Sequence, residues 1–185
     1  MNKEIFQRLV RIVGPRNVLS SPEDLHAYSV DASLQYRAIP SLVVRPGATE
    51  EVQEIIALAN REKIPVVPRG AGTNFVGGVV PVRGEIVLDL TRMNKILEIS
   101  RTDLRCDAEP GVFHGDLETE LGKFGLFWPP DPGSSESCTI GGVLSTNAGG
   151  QVRHRSRLGP RSQGGATNRR DDQDRCEDAQ EQCRL

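Results

Sequence analysis

The chain has 185 residues, a formal net charge of −2 and 37% hydrophobic residues, which is enough for one domain with a buried core. The small net charge argues against binding to nucleic acid or to an anionic membrane surface. The sequence has neither the apolar run of a signal peptide nor the roughly 18 apolar residues of a spanning helix. We therefore expect a cytoplasmic protein without a membrane span, whose partner is a small molecule.

The first 37 residues predict a helical layer. Apolar residues recur at helical spacing across residues 3–13, which indicates a first helix. Ser21 and Pro22 are typical of a helix N-cap and first turn, and the acids Glu23 and Asp24 that follow complement the helix dipole. A second, short helix is therefore expected from Pro22.

A strand, a helix and a second strand come next. Residues 41–45 form the first apolar run, Thr49 is expected to cap the helix, and residues 66–67 begin the second strand. The predicted apolar face of the helix consists of Val52, Ile55, Ile56 and Ala59. This order predicts a right-handed βαβ unit, so the loop after Pro68 should leave the carboxyl end of a parallel strand. Open α/β sheets bind ligands at that edge.

Three alternating segments then predict antiparallel strands, at residues 85–90, 95–99 and 104–109. Residues 114–123 predict a helix that ends near Gly125, and residues 140–146 predict another. The expected fold class is therefore α+β, a mixed α/β domain.

Two glycine-rich segments could carry chemistry. The first, PRGAGTNFVGG at residues 68–78, suits a pyrophosphate cradle, because glycines bring backbone N–H groups close to an anion. It is neither a Walker loop nor the dinucleotide fingerprint. The second, PPDPGSSESCTIGG at residues 129–142, offers hydroxyl groups and close backbone approach. Structural turns remain the alternative for each segment, although two such loops in one domain favour a ligand site.

In order and spacing, residues 38–150 resemble the FAD-binding domain of the vanillyl-alcohol-oxidase type, also called the PCMH type. The resemblance rests on PRGAGTNFVGG, IVLDLTRMNKILEIS, EPGV and FWPPDPGSSESCTIGGVLSTNAGG. It is strongest toward the FAD-binding subunit of glycolate oxidase and the D-lactate dehydrogenases. It implies FAD as the cofactor and a small 2-hydroxy acid as the substrate.

The resemblance also implies which residues hold FAD. Those around the pyrophosphate would be Arg69, Gly70, Ala71, Gly72, Thr73, Asn74, Gly77 and Gly78. Those on the other side of the cofactor would be Asp131, Ser134, Ser135, Thr139, Gly141, Gly142 and Asn147. Several relatives attach the flavin to a histidine of the first loop, which this loop lacks. Non-covalent FAD is therefore expected.

Other chemically interesting residues predict little. His26 and His114 are expected to be surface or structural residues, and Trp128 is expected to fill the core. Asp31 and Asp89 have no evident partner in the sequence. No catalytic residue is assigned.

The cysteines also predict no special chemistry. None of the four has zinc-site spacing, so we expect no metal site. Because the protein is expected to be cytoplasmic, we also expect no disulfide framework. They are Cys106, Cys138, Cys176 and Cys183. The first two are expected to be small buried apolar residues.

The composition changes at Gln151. Residues 151–185 contain eight arginines, no lysine and no apolar periodicity, so burial cannot offset the entropy of ordering them. Three interpretations are open for this tail: a disordered functional extension, an arginine-rich nucleic-acid arm, or an out-of-frame product of a frameshift. Interspersed acids argue against the arm, and the abrupt end of the motif at Gly150 favours the frameshift.

In the family that residues 38–150 resemble, the chain continues into further strands and a substrate-capping domain. We therefore expect these residues to be the N-terminal portion only of the fold, an incomplete FAD-binding domain. The leading hypothesis is an FAD-binding fragment of an oxidoreductase acting on glycolate or D-lactate, inactive alone. The alternatives are a non-catalytic flavin-binding subunit that uses a partner chain, and a non-functional product of a frameshifted gene.

Overall fold

The computed structural model describes residues 3–33, 35–82 and 84–149. Its helices are α1 (Lys3–Val13), α2 (Pro22–Ala27), α3 (Thr49–Arg61), α4 (His114–Gly122) and α5 (Ile140–Ser145). Its strands are β1 (Val18–Leu19), β2 (Leu42–Val44), β3 (Val66–Arg69), β4 (Ile86–Asp89), β5 (Ile96–Ser100) and β6 (Arg105–Ala108). The interpretations offered for residues 151–185 lie outside the described residues.

The main sheet has the strand order β1-β2-β4-β3. Strands β2 and β3 each pair parallel with β4, which lies between them, and β1 pairs antiparallel with β2. The βαβ unit and the mixed α/β fold class are therefore confirmed. The expectation of an antiparallel strand at residues 85–90 was wrong. All four residues of β4 are buried, as a central parallel strand covered on both faces requires.

Helix α3 crosses from β2 to β3 and buries one face in the larger core. Ile55, Leu58 and Ala59 are buried, whereas Ile56 is 44% exposed and does not belong to the predicted face. The N-cap is Ala48, without a side-chain hydrogen bond, so the expected capping role of Thr49 was also wrong. Side chains of α1, β1, β2 and β4 complete this core.

A second, smaller core forms where β5 and β6, an antiparallel pair, meet α4 and α5. Its buried residues are Val112, Leu117, Leu121 and Ile140. Trp128 is partly buried and packs against this cluster, which confirms its expected place. Cys138 is buried and Cys106 is half-buried, and both are free thiols.

The N-terminal residues form the predicted helices α1 and α2, and the Ser21 hydroxyl accepts a hydrogen bond from the Asp24 amide at 3.1 Å. Between the helices, β1 adds an edge strand that the sequence did not predict. The other edge strand is β3, in which Pro68 pairs in register with Leu88. Proline is tolerated on such an edge because no ladder hydrogen bond is needed from its nitrogen. Within the part of the chain that the structure describes, no helix is long and apolar enough to cross a membrane.

Candidate cofactor site

The first loop, residues 69–78, leaves the carboxyl end of β3, as the sequence predicted. Gly72 and Gly77 have φ angles of 74° and 73°, a region that side chains with a Cβ disfavour. Gly77 also packs closely against Tyr36, since a Cβ on this glycine would lie 2.7 Å from the tyrosine ring. The backbone path of the loop therefore requires both glycines.

The side chain of Arg69 turns into the protein. The residue is only 8% exposed, and its guanidinium donates a hydrogen bond to the Val30 carbonyl at 2.9 Å. It also lies 5.3 Å from the centre of the Tyr28 ring. Burial lowers the pKa of the guanidinium, while the charges of Asp89 and Asp31 oppose that shift. Arg69 thus has partners within the chain, and a direct role toward a cofactor stays a prediction.

Asp89, the last residue of β4, is 3% exposed and has several partners. The Tyr28 hydroxyl donates to it at 2.6 Å, Thr91 donates its amide and hydroxyl, and the Arg45 guanidinium lies 3.3 Å away. Burial, followed by the hydrogen bond to Asp89, raises the pKa of Tyr28 above its ordinary value. The expectation that Asp89 lacks a partner was wrong, because Tyr28 meets it across 61 residues of chain.

Asp31 also has partners, contrary to expectation. It is 3% exposed, and it accepts hydrogen bonds from the Ser33 amide and hydroxyl and from the Gly77 amide. Burial alone would raise the pKa of this carboxyl group. The hydrogen bonds from Ser33 and Gly77 outweigh that effect, so the pKa lies below its ordinary value.

The second loop, residues 129–139, is fixed by hydrogen bonds to the segment before α4. The His114 amide donates to the Cys138 carbonyl at 3.0 Å, and the Ile140 amide donates to the Val112 carbonyl at 2.8 Å. The His114 ring is 1% exposed and donates through Nε2 to the Pro130 carbonyl at 2.8 Å. This confirms that His114 is a structural residue.

The turn at residues 109–112, EPGV, packs against the start of α5. The Gly141 amide donates to the Pro110 carbonyl at 2.9 Å, and a Cβ on Gly141 would lie only 2.8 Å from that oxygen. Gly141 therefore permits close packing of α5 on the turn. The sequence predicted that the backbone at this glycine approaches a ligand closely. In the structure the backbone at Gly141 lies close to Pro110 of the same chain.

The two glycine-rich segments meet at Thr139. A Cβ on Gly70 would overlap the Thr139 hydroxyl, and one on Gly142 would lie 3.3 Å from the same oxygen. Thr139 is 1% exposed, and its Oγ1 is buried without a hydrogen-bond partner in the described part of the chain. Buried polar groups normally have a partner, so this hydroxyl indicates a place for a ligand atom. Gly70 lets the first segment approach this hydroxyl closely, so the two glycine-rich segments of the candidate cofactor site meet here.

The other predicted residues lie on the same two segments. The Asn74 side chain accepts a hydrogen bond from the Val76 amide at 3.2 Å, which shapes the first loop. The Asp131 amide donates to the Gly149 carbonyl at 3.2 Å, and the Ser134 carbonyl accepts from the Cys138 amide at 2.8 Å. The close contact between the segments is made by Gly70 and Thr139, and Gly142 lies near the same hydroxyl within the second segment. A role toward FAD stays a prediction for all of the predicted residues, including Ala71, Thr73, Asn74, Gly78, Asp131, Ser134, Ser135 and Asn147.

Sequence reasoning missed the contribution of the N-terminal residues to this site. Tyr28, Asp31 and Tyr36 all contact Arg69 or Gly77. One local signal was present, since Asp-x-Ser at residues 31–33 is typical of an Asx turn, in which the carboxylate bonds to the backbone. The contacts with the first loop have no counterpart in local sequence, because they span about 40 residues or more.

The sequence and the structure of this chain are similar to those of several known proteins. The glycolate oxidase subunit GlcD of Bacillus subtilis (strain 168) is 39% identical over 150 residues, which cover 81% of this chain and 32% of that protein. The D-lactate dehydrogenase of Anaerostipes hadrus is 40% identical over 139 residues, or 75% of this chain and 29% of that protein. A solved structure of alkyldihydroxyacetonephosphate synthase superposes with a TM-score of 0.75 and 29% identity, over 81% of this chain and 33% of that one.

The chain thus spans about a third of the length of the curated relatives it matches. The family model described as "FAD binding domain" matches residues 40–159, which is more than half of the chain. This match confirms the expected family and FAD as its cofactor. The chain belongs to the FAD binding domain family.

Proposed function

We propose that the chain binds FAD non-covalently between the first loop and the start of α5. The observation that carries this proposal is the buried Thr139 hydroxyl, which lacks a partner among the described residues and faces Gly70. In this proposal the backbone N–H groups of the first loop bind the pyrophosphate, and the Thr139 hydroxyl supplies a further hydrogen bond. Gly70 and Gly142 allow the backbone to lie close to that hydroxyl.

Non-covalent binding is supported by the histidines of the described residues. The first loop reads Gly72-Thr73-Asn74 where some relatives carry the flavin-linked histidine. His114 is buried and bonded to the Pro130 carbonyl, so its ring is committed to the second loop. His26 lies exposed on α2. We therefore expect FAD to dissociate on denaturation.

We further propose that the chain serves an oxidoreductase of small 2-hydroxy acids. The support is the likeness to a glycolate oxidase subunit and a D-lactate dehydrogenase. Bound FAD would supply a two-electron acceptor for the α-carbon of the substrate. The residues of this chain would bind and orient the cofactor. Because the chain spans only about a third of these relatives, we expect no turnover by the 185-residue chain alone.

The proposal is tested by titrating the purified chain with FAD and, in parallel, with riboflavin, while flavin fluorescence is followed. Riboflavin lacks the pyrophosphate, so we expect saturable FAD binding and much weaker riboflavin binding. Equal affinity for both would contradict the pyrophosphate cradle. Absence of FAD binding by a folded chain would contradict the proposed function.

A further inference from the structure

The first loop is joined to an N-terminal segment that comprises residues 28–33 and Tyr36, which we call the clasp. The clasp precedes residue 40, where the match to the family begins. Three hydrogen bonds connect it to the loop: Arg69 guanidinium to Val30 carbonyl at 2.9 Å, Ala32 amide to Gly72 carbonyl at 3.1 Å, and Gly77 amide to Asp31 carboxylate at 2.7 Å. The clasp therefore contacts the beginning, the middle and the end of the loop.

Asp31 is the residue of the clasp with the most constrained side chain. One carboxylate oxygen accepts from the Gly77 amide, and the other accepts from the Ser33 amide at 3.0 Å and hydroxyl at 2.6 Å. Because both oxygens are engaged, the carboxylate has one orientation. A hydrogen bond to an ionised acceptor is stronger than one to a neutral acceptor. The bond to Gly77 is therefore a strong restraint on a loop whose glycines otherwise permit many conformations.

The packing around Gly77 also indicates that the clasp restrains the first loop. Gly77 has a φ angle of 73°, its amide donates to Asp31, and a Cβ on this residue would meet the ring of Tyr36. Neither contact involves Gly70 or Thr139. Through these two contacts the clasp thus shapes the loop without contacting either of these residues.

We propose that the clasp preorganises the first loop for FAD, with Asp31 as a positioning residue that fixes the Gly77 amide. This inference rests on the proposed function. A loop that is ordered before binding loses less conformational entropy when the cofactor arrives, so the clasp should increase affinity without touching FAD. Removing a clasp contact should also make the first loop less ordered in the chain without cofactor.

The test compares wild type with Asp31→Ala, Asp31→Asn and the control Asp103→Ala. Asp103 also accepts a hydrogen bond from a serine hydroxyl, that of Ser100, but it is exposed in the β5–β6 turn. Two quantities are measured: the FAD dissociation constant, and hydrogen–deuterium exchange of residues 70–80 in the cofactor-free chain.

Asp31→Ala should weaken FAD binding about tenfold and accelerate hydrogen–deuterium exchange in the first loop, with unchanged exchange in β4. Asp31→Asn keeps an acceptor oxygen and should weaken binding about threefold. Asp103→Ala should match wild type.

A folded Asp31→Ala chain with wild-type affinity and wild-type loop exchange would overturn the proposal. If that chain does not fold, the asparagine variant decides, and wild-type values for both measurements would overturn it. Failure of the wild-type chain to bind FAD would contradict the proposed function instead. The exchange comparison would then still decide whether the clasp orders the loop.

Discussion

At the scale of single residues, Thr139 has an unusual position. Its hydroxyl is buried at the meeting point of two glycine-rich segments and has no partner in the described part of the chain. A buried hydroxyl without a hydrogen bond costs about 1–3 kcal/mol of folding free energy. A bound ligand that completes this hydrogen bond would remove that cost, which couples FAD binding to the stability of the site.

We therefore expect Thr139→Val to separate stability from affinity. Valine has a similar shape without the hydroxyl, so the cofactor-free chain should be as stable as wild type or more stable. The FAD dissociation constant should rise roughly two- to tenfold, the effect of one neutral hydrogen bond. Thr139→Ser, which keeps the hydroxyl, is the matched control and should bind close to wild type. Thermal unfolding and flavin fluorescence measure the two effects, and unchanged affinity of the valine variant would exclude the hydroxyl as a ligand contact.

The raised pKa of Tyr28 should make the free energy of unfolding fall at alkaline pH. Because burial and Asp89 raise the pKa of its phenol, the folded chain keeps the proton at pH values where the unfolded chain loses it. The stability contributed by this shift is complete below the ordinary tyrosine pKa of 10.0 and falls as the pH rises above it. Urea unfolding at pH 8 and pH 11 should show this loss in wild type and a smaller loss in Tyr28→Phe. An equal loss in both proteins would contradict the assignment.

At the scale of elements, most of the fold follows from local pattern. The helical spacing of α1, the Ser21 cap of α2 and the strand–helix–strand order around α3 are all visible in sequence and present in the structure. The orientation of strand β4 was predicted wrongly, because alternation over residues 85–90 does not reveal that a strand is covered on both faces. Strand β1 has two residues, too few to give a periodic signal.

Helix α3 offers a test of its buried face. Ile55 is fully buried in the larger core, while the next residue, Ile56, is 44% exposed. Ile55→Ala should lower the free energy of unfolding by about 2–5 kcal/mol, as expected for a large-to-small change in a core. Ile56→Ala on the same helix is the matched control and should change stability by less than about 1 kcal/mol. Urea denaturation measures both, and similar losses would contradict the described orientation of α3.

The candidate site was predictable only in part. The sequence placed the first loop at the carboxyl end of β3, because the βαβ pattern determines where that strand ends. It did not predict that Arg69 turns toward Tyr28 or that Asp31 bonds to Gly77. Those contacts join residues far apart in the chain, so their pairing depends on tertiary packing.

At the scale of the whole molecule, the described residues form two hydrophobic cores, and an element of each leads to the candidate site. The larger core is built on the four-stranded sheet, and the smaller one lies among β5, β6, α4 and α5. Gly70 follows the sheet and Thr139 precedes α5, so their contact joins the two parts of the molecule. Cofactor binding at this contact should therefore affect the stability of both parts.

A double-mutant cycle tests the contact between these parts. Gly70→Ala should destabilise the chain by about 1–3 kcal/mol, because its Cβ would overlap the Thr139 hydroxyl. Adding Thr139→Ala removes that oxygen, so the double variant should be less destabilised than the sum of the single variants. Gly122→Ala, where a Cβ meets nothing within 4 Å, is the control and should be neutral or slightly stabilising. Additive losses in urea denaturation would contradict the contact.

The edges of the main sheet have a consequence for self-association. Among the described residues, one edge strand, β1, has only two residues, and the other, β3, contains Pro68. Short edge strands and prolines hinder the addition of a strand from another molecule. Pro68 also directly precedes the first loop. The residue that leads the chain into the cofactor loop therefore also protects that end of the sheet from intermolecular pairing, which favours a loop that stays accessible at high protein concentration.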